Sequence, residues 1–491
     1  MQTKYGYLIL LLIILAPLYG HTQDLIWSVN YGGKYNEEGN SGLLTLDNNF
    51  VVLGSTFSDG SGEFDFYLLK INSAGGALWS KTYGGTEAEY GYDIQETDDG
   101  GFVMVGSTQS YGEGNSDIYL VRVDSVGEIL FSQTYGGEED DEARSVRITS
   151  DGGFIICGTT NSYGAGYSDL YLVRTNASGD TLWTRTFGGA GGESGFAVRQ
   201  TADGGYIAVG STGSFGTGYS SVYVVRLDAD GDSLWAEIFG GDRADFGSSV
   251  EITYDGGFLI TGWTASYGAG FYDVYLIKTD SDGNFEWQQT YGGPNEDRAY
   301  SIFQAMDGGY IISGTKEGNG AQLLDVYVIK TDPAGNLIWD ETYGGAKSDF
   351  GMIIFQEPGR DYMLVGHTYS YSAGGSDVYI MKLQGEATAA PDDEPASIPS
   401  GFELAQNYPN PFNSSTIISF TIPVRSDATL TVYNILGQAV REWDYQFIPA
   451  GNYSVQWDGR NNYGMETASG VYFYRLSAGE YVETKKMVLI K

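Results

Sequence analysis

A Tyr-Gly-Gly or Phe-Gly-Gly tripeptide begins at Tyr31, Tyr83, Tyr135, Phe187, Phe239, Tyr291 and Tyr343, always 52 residues after the one before, with no insertion or deletion. Such a chain is one supersecondary unit copied seven times, and each copy can bury its apolar faces only against its neighbours. The second copy shows what the unit is. Gly91 to Thr97 alternates with the period of two of a half-buried strand. Asp99-Gly100-Gly101 is a hairpin turn, and Phe102-Val103-Met104-Val105-Gly106 a second strand. The polar loop Ser110-Tyr111-Gly112-Glu113-Gly114 leads to a third strand, Asp117 to Arg122. A tight turn at Asp124-Ser125-Val126-Gly127 precedes the fourth, Glu128 to Thr134. Nothing in the unit has helical spacing.

Four antiparallel strands in about 50 residues is the size of a propeller blade. An aromatic residue of the fourth strand recurs at Trp27, Trp79, Phe131, Trp183, Trp235, Trp287 and Trp339. The third strand recurs with Tyr67, Tyr119, Tyr171, Tyr223, Tyr275, Tyr327 and Tyr379. The array starts with a fourth strand and stops after a third. Residues 24–31 are therefore expected to supply the outer strand of the last blade and close a ring, whereas an open stack would need capping repeats. The expected fold class is all-β: a seven-bladed β-propeller over residues 24–386. The run Asp-x-x-Gly-x-x-x-Trp, as in Asp280 to Trp287 and Asp332 to Trp339, resembles the repeat of quinoprotein-type propellers. The units also resemble the Asp-Gly-Gly propeller repeats of exported bacterial proteins, over about residues 24–383. Quinoprotein dehydrogenases build a calcium and cofactor site from non-repeated residues, and the sequence offers no such set.

The net charge of −37 argues against nucleic acid, which needs clustered Lys and Arg. The chain's two histidines are His21 and His367, too few for a multi-histidine metal site and poor support for a Ser-His-Asp triad. Its single cysteine, Cys157, lies in an apolar run and reads as a buried, inert thiol. Residues 1–20 read as a signal peptide: Lys4, an apolar stretch from Gly6 to Leu18, then a small residue at Gly20, with the cut expected between 20 and 23. That stretch is shorter than the roughly 18 residues that favour a membrane anchor, so the mature chain is expected to carry no transmembrane segment.

In a blade, consecutive connections fall on opposite rims. The Ser-Tyr-Gly loop and the crossover after Tyr-Gly-Gly thus share a rim, which repeats two features. One is an acid: Glu37, Glu89, Asp141, Glu193, Asp245, Asp297 and Asp349. The other is a loop aromatic: Tyr111, Tyr163, Phe215, Tyr267 and Tyr371, absent from units one and six. The functional reading is a ligand face, in which carboxylates accept hydrogen bonds from hydroxyls and aromatics stack on sugars or side chains. The structural reading pairs the acids with the seven-fold bases Lys70, Arg122, Arg174, Arg226, Lys278, Lys330 and Lys382 or makes them turn caps, and packs the tyrosines between blades. The run Glu138-Glu139-Asp140-Asp141-Glu142 suits calcium by chemistry but lacks EF-hand spacing, so a solvated charge run is expected and no cofactor is assigned. Paired-carboxylate glycosidase chemistry stays open, although acids that obey the repeat do not break symmetry as active sites do. No nucleophile-elbow, phosphate-loop or His-Glu-x-x-His motif occurs, and the chain is not expected to be an enzyme.

Residues 387–400 are small, acidic and proline-punctuated, a semi-rigid linker. Beyond it, residues 401–491 return to short alternating strands, near 416–422, 429–433, 451–457, 471–476 and 485–490, a small Ig-like β-sandwich. The ordered motifs Tyr408-Pro409-Asn410-Pro411-Phe412-Asn413, Phe420-Thr421-Ile422-Pro423, Val432-Tyr433-Asn434-Ile435-Leu436-Gly437, Trp457-Asp458-Gly459-Arg460-Asn461 and Ser469-Gly470-Val471-Tyr472 resemble the type A C-terminal sorting domain of type IX secretion substrates. That domain is similar to the Ig-like module of flagellar hook-capping proteins. The resemblance implies the type IX secretion machinery as partner, a secreted or outer-surface location, and a sorting signal at Gly470, Val471, Tyr472, Lys485, Lys486, Met487, Val488, Leu489, Ile490 and Lys491. The expected function is a non-catalytic binding propeller for a glycan or surface protein. The alternatives are a structural or adhesive protein without a small ligand, and a polysaccharide hydrolase or lyase.

Overall fold

The computed structural model describes residues 24–490 apart from 306, 319–322, 358–360, 386–400, 414, 424–425, 449–450, 458, 462–466 and 480. The segment expected to be a signal peptide (1–20), the expected linker (387–400) and Lys491 lie outside the described residues. Every regular element described is a β-strand.

The repeats form seven four-stranded antiparallel sheets. In unit one the spatial order follows the chain: Glu37–Leu44, Phe50–Thr56, Asp65–Ile71, Ala77–Tyr83. The seventh sheet takes Asp349–Gln356, Tyr362–Thr368 and Asp377–Leu383 from its own unit and its outer strand, Leu25–Tyr31, from the start of the chain. That strand pairs antiparallel with Asp377–Leu383, Trp27 opposite Lys382 and Tyr31 opposite Val378.

The two middle strands of a unit, such as Phe102–Thr108 and Asp117–Val123, are buried at every residue, which is why they read as unbroken apolar runs. The fourth, Ile129–Tyr135, keeps much of its length at the surface. The cores lie between sheets. Leu53, Phe66 and Leu68 of unit one pack with Ile94, Phe102 and Met104 of unit two. The series returns to its start: Phe50, Val52 and Leu69 share a core with Met363, Val365, Val378 and Ile380 of unit seven. Tyrosines rivet neighbours together, with the Tyr83, Tyr135 and Tyr291 hydroxyls donating to the carbonyls of Gly127, Gly179 and Gly335 in the next unit at 2.8, 2.6 and 2.5 Å.

The seven bases hold the other rim. Lys70 meets Asp47 at 2.7 Å, Arg122 meets Asp99 at 2.6 Å, Arg174 meets Asp151 at 2.6 Å and Arg226 meets Asp203 at 2.6 Å. Lys278, Lys330 and Lys382 reach Asp255, Asp307 and Glu357 in the same way. The bases are therefore committed to the hairpin-turn acids, and the expected alternative pairing with the Glu37 series does not form. Partial burial raises the Asp47 carboxyl, but bonds from Lys70 and Thr45 outweigh it and hold the group down at about 2.

The C-terminal domain is a sandwich. One sheet orders Glu403–Leu404, Thr416–Ile422 and Gly451–Trp457; the other orders Ala439–Ile448, Ser426–Tyr433, Gly470–Ala478 and Tyr481–Leu489. Ile418, Phe420, Leu430, Trp457, Tyr474, Met487 and Leu489 fill the space between. Ala439–Ile448 is a strand that sequence reading missed, because adjacent Arg441 and Glu442 break the alternation by which a strand is recognised.

Candidate functional site

The seven rim acids each open the first strand of a sheet, and none is more than 1% exposed. Glu37 accepts hydrogen bonds from the Thr56 hydroxyl (3.1 Å), the Ser58 amide (3.1 Å) and the Gly33 amide (2.6 Å). Glu89 repeats the set with Thr108, Ser110 and Gly85 at 2.6, 3.2 and 2.7 Å, and Glu193 with Thr212, Ser214 and Gly189 at 2.8, 3.0 and 2.7 Å. Asp141, Asp245, Asp297 and Asp349 take the amides of Gly137, Gly241, Gly293 and Gly345 at 2.6–2.8 Å. The three glutamates thus receive donors on both carboxylate oxygens, whereas Asp141 Oδ1 and Asp297 Oδ1 are buried without a hydrogen-bond partner. These acids fasten the crossover and the Ser-Tyr-Gly loop to the sheet, enclosed rather than presented at the rim.

The loop aromatics are presented only in part. Tyr111, Tyr163, Phe215, Tyr267 and Tyr371 are 37–49% exposed. Each ring lies 5.5–5.8 Å from the third-strand tyrosine of its unit. The four hydroxyls donate to the carbonyls of Gly84, Gly136, Gly240 and Gly344 at 3.1, 2.6, 2.8 and 2.6 Å. One face packs; the other is open. The acidic run of unit three does not converge: Glu138, Glu139 and Asp140 are exposed, and Glu142 pairs with Arg144 at 3.1 Å. Among the described residues no group of three or more His, Cys, Asp or Glu is placed to hold a metal ion.

Sequence reading missed the residues that depart from the repeat. At the tip of the Ser-Tyr-Gly loop, Tyr167, Tyr219 and Phe271 are 85%, 89% and 77% exposed. They occupy one register position in units three, four and five, where units one, two and seven have Glu63, Asn115 and Gly375 and unit six has Leu323. Isolated parallel bridges, Ser168 with Gly192, Ser220 with Ala244 and Tyr272 with Glu296, fasten these same three loops to the next crossover. The Tyr167 and Phe271 amides donate to the carbonyls of Gly191 and Asn295 at 2.9 and 3.1 Å. The tips are therefore held on tied loops, where binding costs less ordering entropy.

Tyr272, next to Phe271 in the chain, belongs to a half-buried aromatic platform of unit five. Phe246 stacks on Trp263 at 5.2 Å and reaches Tyr272 at 6.4 Å. The Arg298 guanidinium lies 5.3 Å from the Trp263 ring and 5.2 Å from the Tyr272 ring. The signal was present in the sequence, but only as what remains once the repeat is subtracted.

In the C-terminal domain, motifs far apart in sequence meet. The Phe412 amide donates to the Val488 carbonyl at 3.0 Å, and the Ile490 amide to the Phe412 carbonyl at 2.8 Å. The Asn410 side chain accepts from the Val488 amide at 3.0 Å and donates to the Lys486 carbonyl at 3.3 Å. Asn-Pro-Phe thus latches the final strand, which lies at the edge of its sheet. Met487 and Leu489 enter the core, while Lys486 and Ile490 face solvent. Tyr472 is buried against Trp457, centroids 5.1 Å apart, and Val471 is exposed.

Residues 409–480 match the family model of the FlgD Ig-like domain. The regulatory protein FlaEY of Caulobacter vibrioides is 23% identical over 325 residues, which cover 58% of this chain and 29% of that protein. The chain thus spans less than a third of that relative's length. Among solved structures, PorZ, described as an essential bacterial surface component of the type-IX secretion system of Porphyromonas gingivalis, superposes with a TM-score of 0.41 and 11% identity, covering 94% of this chain and 61% of that one. A protein of unknown function from Dyadobacter fermentans gives 0.44 and 10%, covering 74% and 99%. Puromycin hydrolase gives 0.44 and 12%, covering 79% and 59%. Likeness at this level carries no functional argument. What the family match adds is an Ig-like domain at the C-terminal end of an all-β repeat protein.

Proposed function

We propose that this chain is an exported, surface-displayed binding protein without catalytic activity, whose seven sheets are the blades of a closed propeller. The ligand is a glycan, held at the rim of units three to five. The observation that carries this reading is the set of exposed rings at Tyr167, Tyr219 and Phe271, on loops fastened by extra parallel bridges. Large apolar faces kept in water on tied loops suit stacking against sugar rings. Equivalent positions in successive units also offer a ligand of repeating structure the same contact several times. The Phe246, Trp263, Tyr272 and Arg298 platform, joined to Phe271 through Tyr272, adds a cation and further ring faces. The buried acids of the Glu37 series serve the scaffold beneath this face. The C-terminal domain is the sorting element, read by the type IX machinery along its latched edge strand; this rests on the motif resemblance and agrees with the FlgD Ig-like match.

The test is a broad glycan array probed with the full chain and with Tyr167→Ala/Tyr219→Ala/Phe271→Ala. Binding that the triple variant loses while its Tm stays nearly unchanged supports the reading. An array on which the folded chain is silent transfers the role to a protein partner or to surface structure.

A further inference from the structure

In six of the seven units the first glycine of the Tyr-Gly-Gly or Phe-Gly-Gly lies where carboxylates of two adjacent sheets converge. A Cβ on Gly32 would stand 2.0 Å from Asp377 Oδ1 and 2.7 Å from Glu37 Oε2. On Gly84 it would stand 2.0 Å from Asp65 Oδ1 and 2.2 Å from Glu89 Oε2, and on Gly188 2.0 Å from Asp169 Oδ1 and 2.4 Å from Glu193 Oε2. Gly136, Gly292 and Gly344 sit in the same way over Asp117 with Asp141, Asp273 with Asp297, and Asp325 with Asp349. Unit four has Ser221 at the third-strand position, leaving Asp245 without an acidic mate.

On the first-strand side these oxygens accept the amide of the second glycine, Gly33 to Glu37 Oε2 at 2.6 Å, Gly85 to Glu89 Oε2 at 2.7 Å and Gly189 to Glu193 Oε2 at 2.7 Å, whereas on the third-strand side Asp377 and Asp325 each keep one oxygen without a donor. Asp377 is 1% exposed; its Oδ2 accepts from the Asn30 side chain at 2.6 Å and the Ala373 amide at 3.3 Å, while Oδ1, the atom beside Glu37, has no hydrogen-bond partner. Asp325 Oδ1, beside Asp349, is likewise unpartnered. Two adjacent anions away from water repel strongly, and a chain of net charge −37 adds to the cost. Burial, and after it the facing carboxylate, raises the carboxyls of Asp65, Asp117, Asp169 and Asp325.

We propose that calcium ions bridge these carboxylate pairs between adjacent sheets, with Asp377 and Glu37 forming the leading site. Calcium takes carboxylate oxygens at about 2.3–2.6 Å and tolerates irregular shells completed by water and main-chain carbonyls, so one oxygen from each sheet can share an ion. Each ion replaces a repulsion by a cross-link at the base of the rim loops. The inference is independent of what the rim binds.

The experiment titrates the chelator-treated full chain with calcium chloride by calorimetry and thermal melting, with magnesium chloride in parallel. Several ions per chain and a Tm rise of about 3 °C or more at saturation are expected, with magnesium weaker. Asp377→Asn should lose about one ion, and Ser221→Asp, which completes the unpaired position, should gain about one. If Asp377→Asn fails to fold, the gain in Ser221→Asp decides. Absence of calcium heat and of any Tm shift at millimolar calcium, with the Ser221→Asp stoichiometry unchanged, overturns the proposal. Stability highest in acid that falls as pH rises, equally with and without calcium, would mean that each pair shares a proton, and would overturn it too.

Discussion

The repeat array and the C-terminal domain use recurrence in opposite ways. In the array the seven-fold charged residues of the inner strands are buried and committed, the Glu37 series to loop amides and the Lys70 series to turn acids, while the most exposed rings of the loops, Tyr167, Tyr219 and Phe271, occur in three units. In the C-terminal domain nothing recurs, and motifs about 75 residues apart, such as Asn410 and Lys486, are the ones that touch. A repeated residue therefore reports on scaffold, whereas an ordered set of unique motifs reports on a single assembled surface.

The sharpest way to break this contrast is at the crossover glycine. Gly84→Ala places a methyl group on two buried carboxylates and should cost about 4 kcal/mol. Gly152→Ala, at a φ of +80° with open space around it, should cost only about 1 kcal/mol from the left-handed backbone. Urea denaturation of the two variants checks the ratio, and equal effects would show that the carboxylates beside Gly84 yield to the added methyl group at little cost.

Next in size is the C-terminal edge. Met487→Ala should destabilise that domain by about 3 kcal/mol and leave the melting of the array unchanged, since Met487 belongs to the sandwich core. Lys485→Ala/Lys486→Ala, on partly and fully exposed positions, should leave both transitions in place and retain the protein in the periplasm of its host. Normal surface display of that folded double variant would end the sorting role. Truncation after Thr484 confuses the two effects, because it also removes Met487 and Leu489 from the core.

The smallest effect concerns His367, a departure from the repeat inside the array. Burial lowers its imidazole to about 4, against an opposing pull from Asp349, and its ring stacks on Phe350 at 4.5 Å. The unfolded chain protonates near the ordinary value of about 6.5, so between these values it binds more protons than the folded chain. Stability is thus fully present above the unfolded value and declines as pH falls toward 4. The loss between pH 7.5 and pH 5 should be at most about 2 kcal/mol, and His367→Gln should remove that part of the slope. A pH series of urea midpoints for both proteins measures it.

Much of the fold was legible because its signals are local and repeated. The 52-residue period, the alternation of Gly91 to Thr97 and the apolar run at Phe102 predict strands that the structure contains. Ala439–Ile448 was not legible, since paired charges hide its period. The site was less so. The acids stood out by recurring, yet recurrence carries no information about exposure, and all seven are enclosed. Tyr167, Tyr219 and Phe271 went unnoticed because a three-fold pattern is faint beside a seven-fold one.

By itself, then, the sequence determined the strands, the turns and the outer-strand segment at Leu25–Tyr31, because hydrogen-bonded hairpins and period-two burial are written within a few residues. Only the tertiary structure decided which polar groups face one another. Asp377 and Glu37 are 340 residues apart, and Asn410 and Lys486 are joined by nothing local. Whether a carboxylate meets an amide, a base or another carboxylate depends on which sheets pack together, and packing is a property of the whole chain.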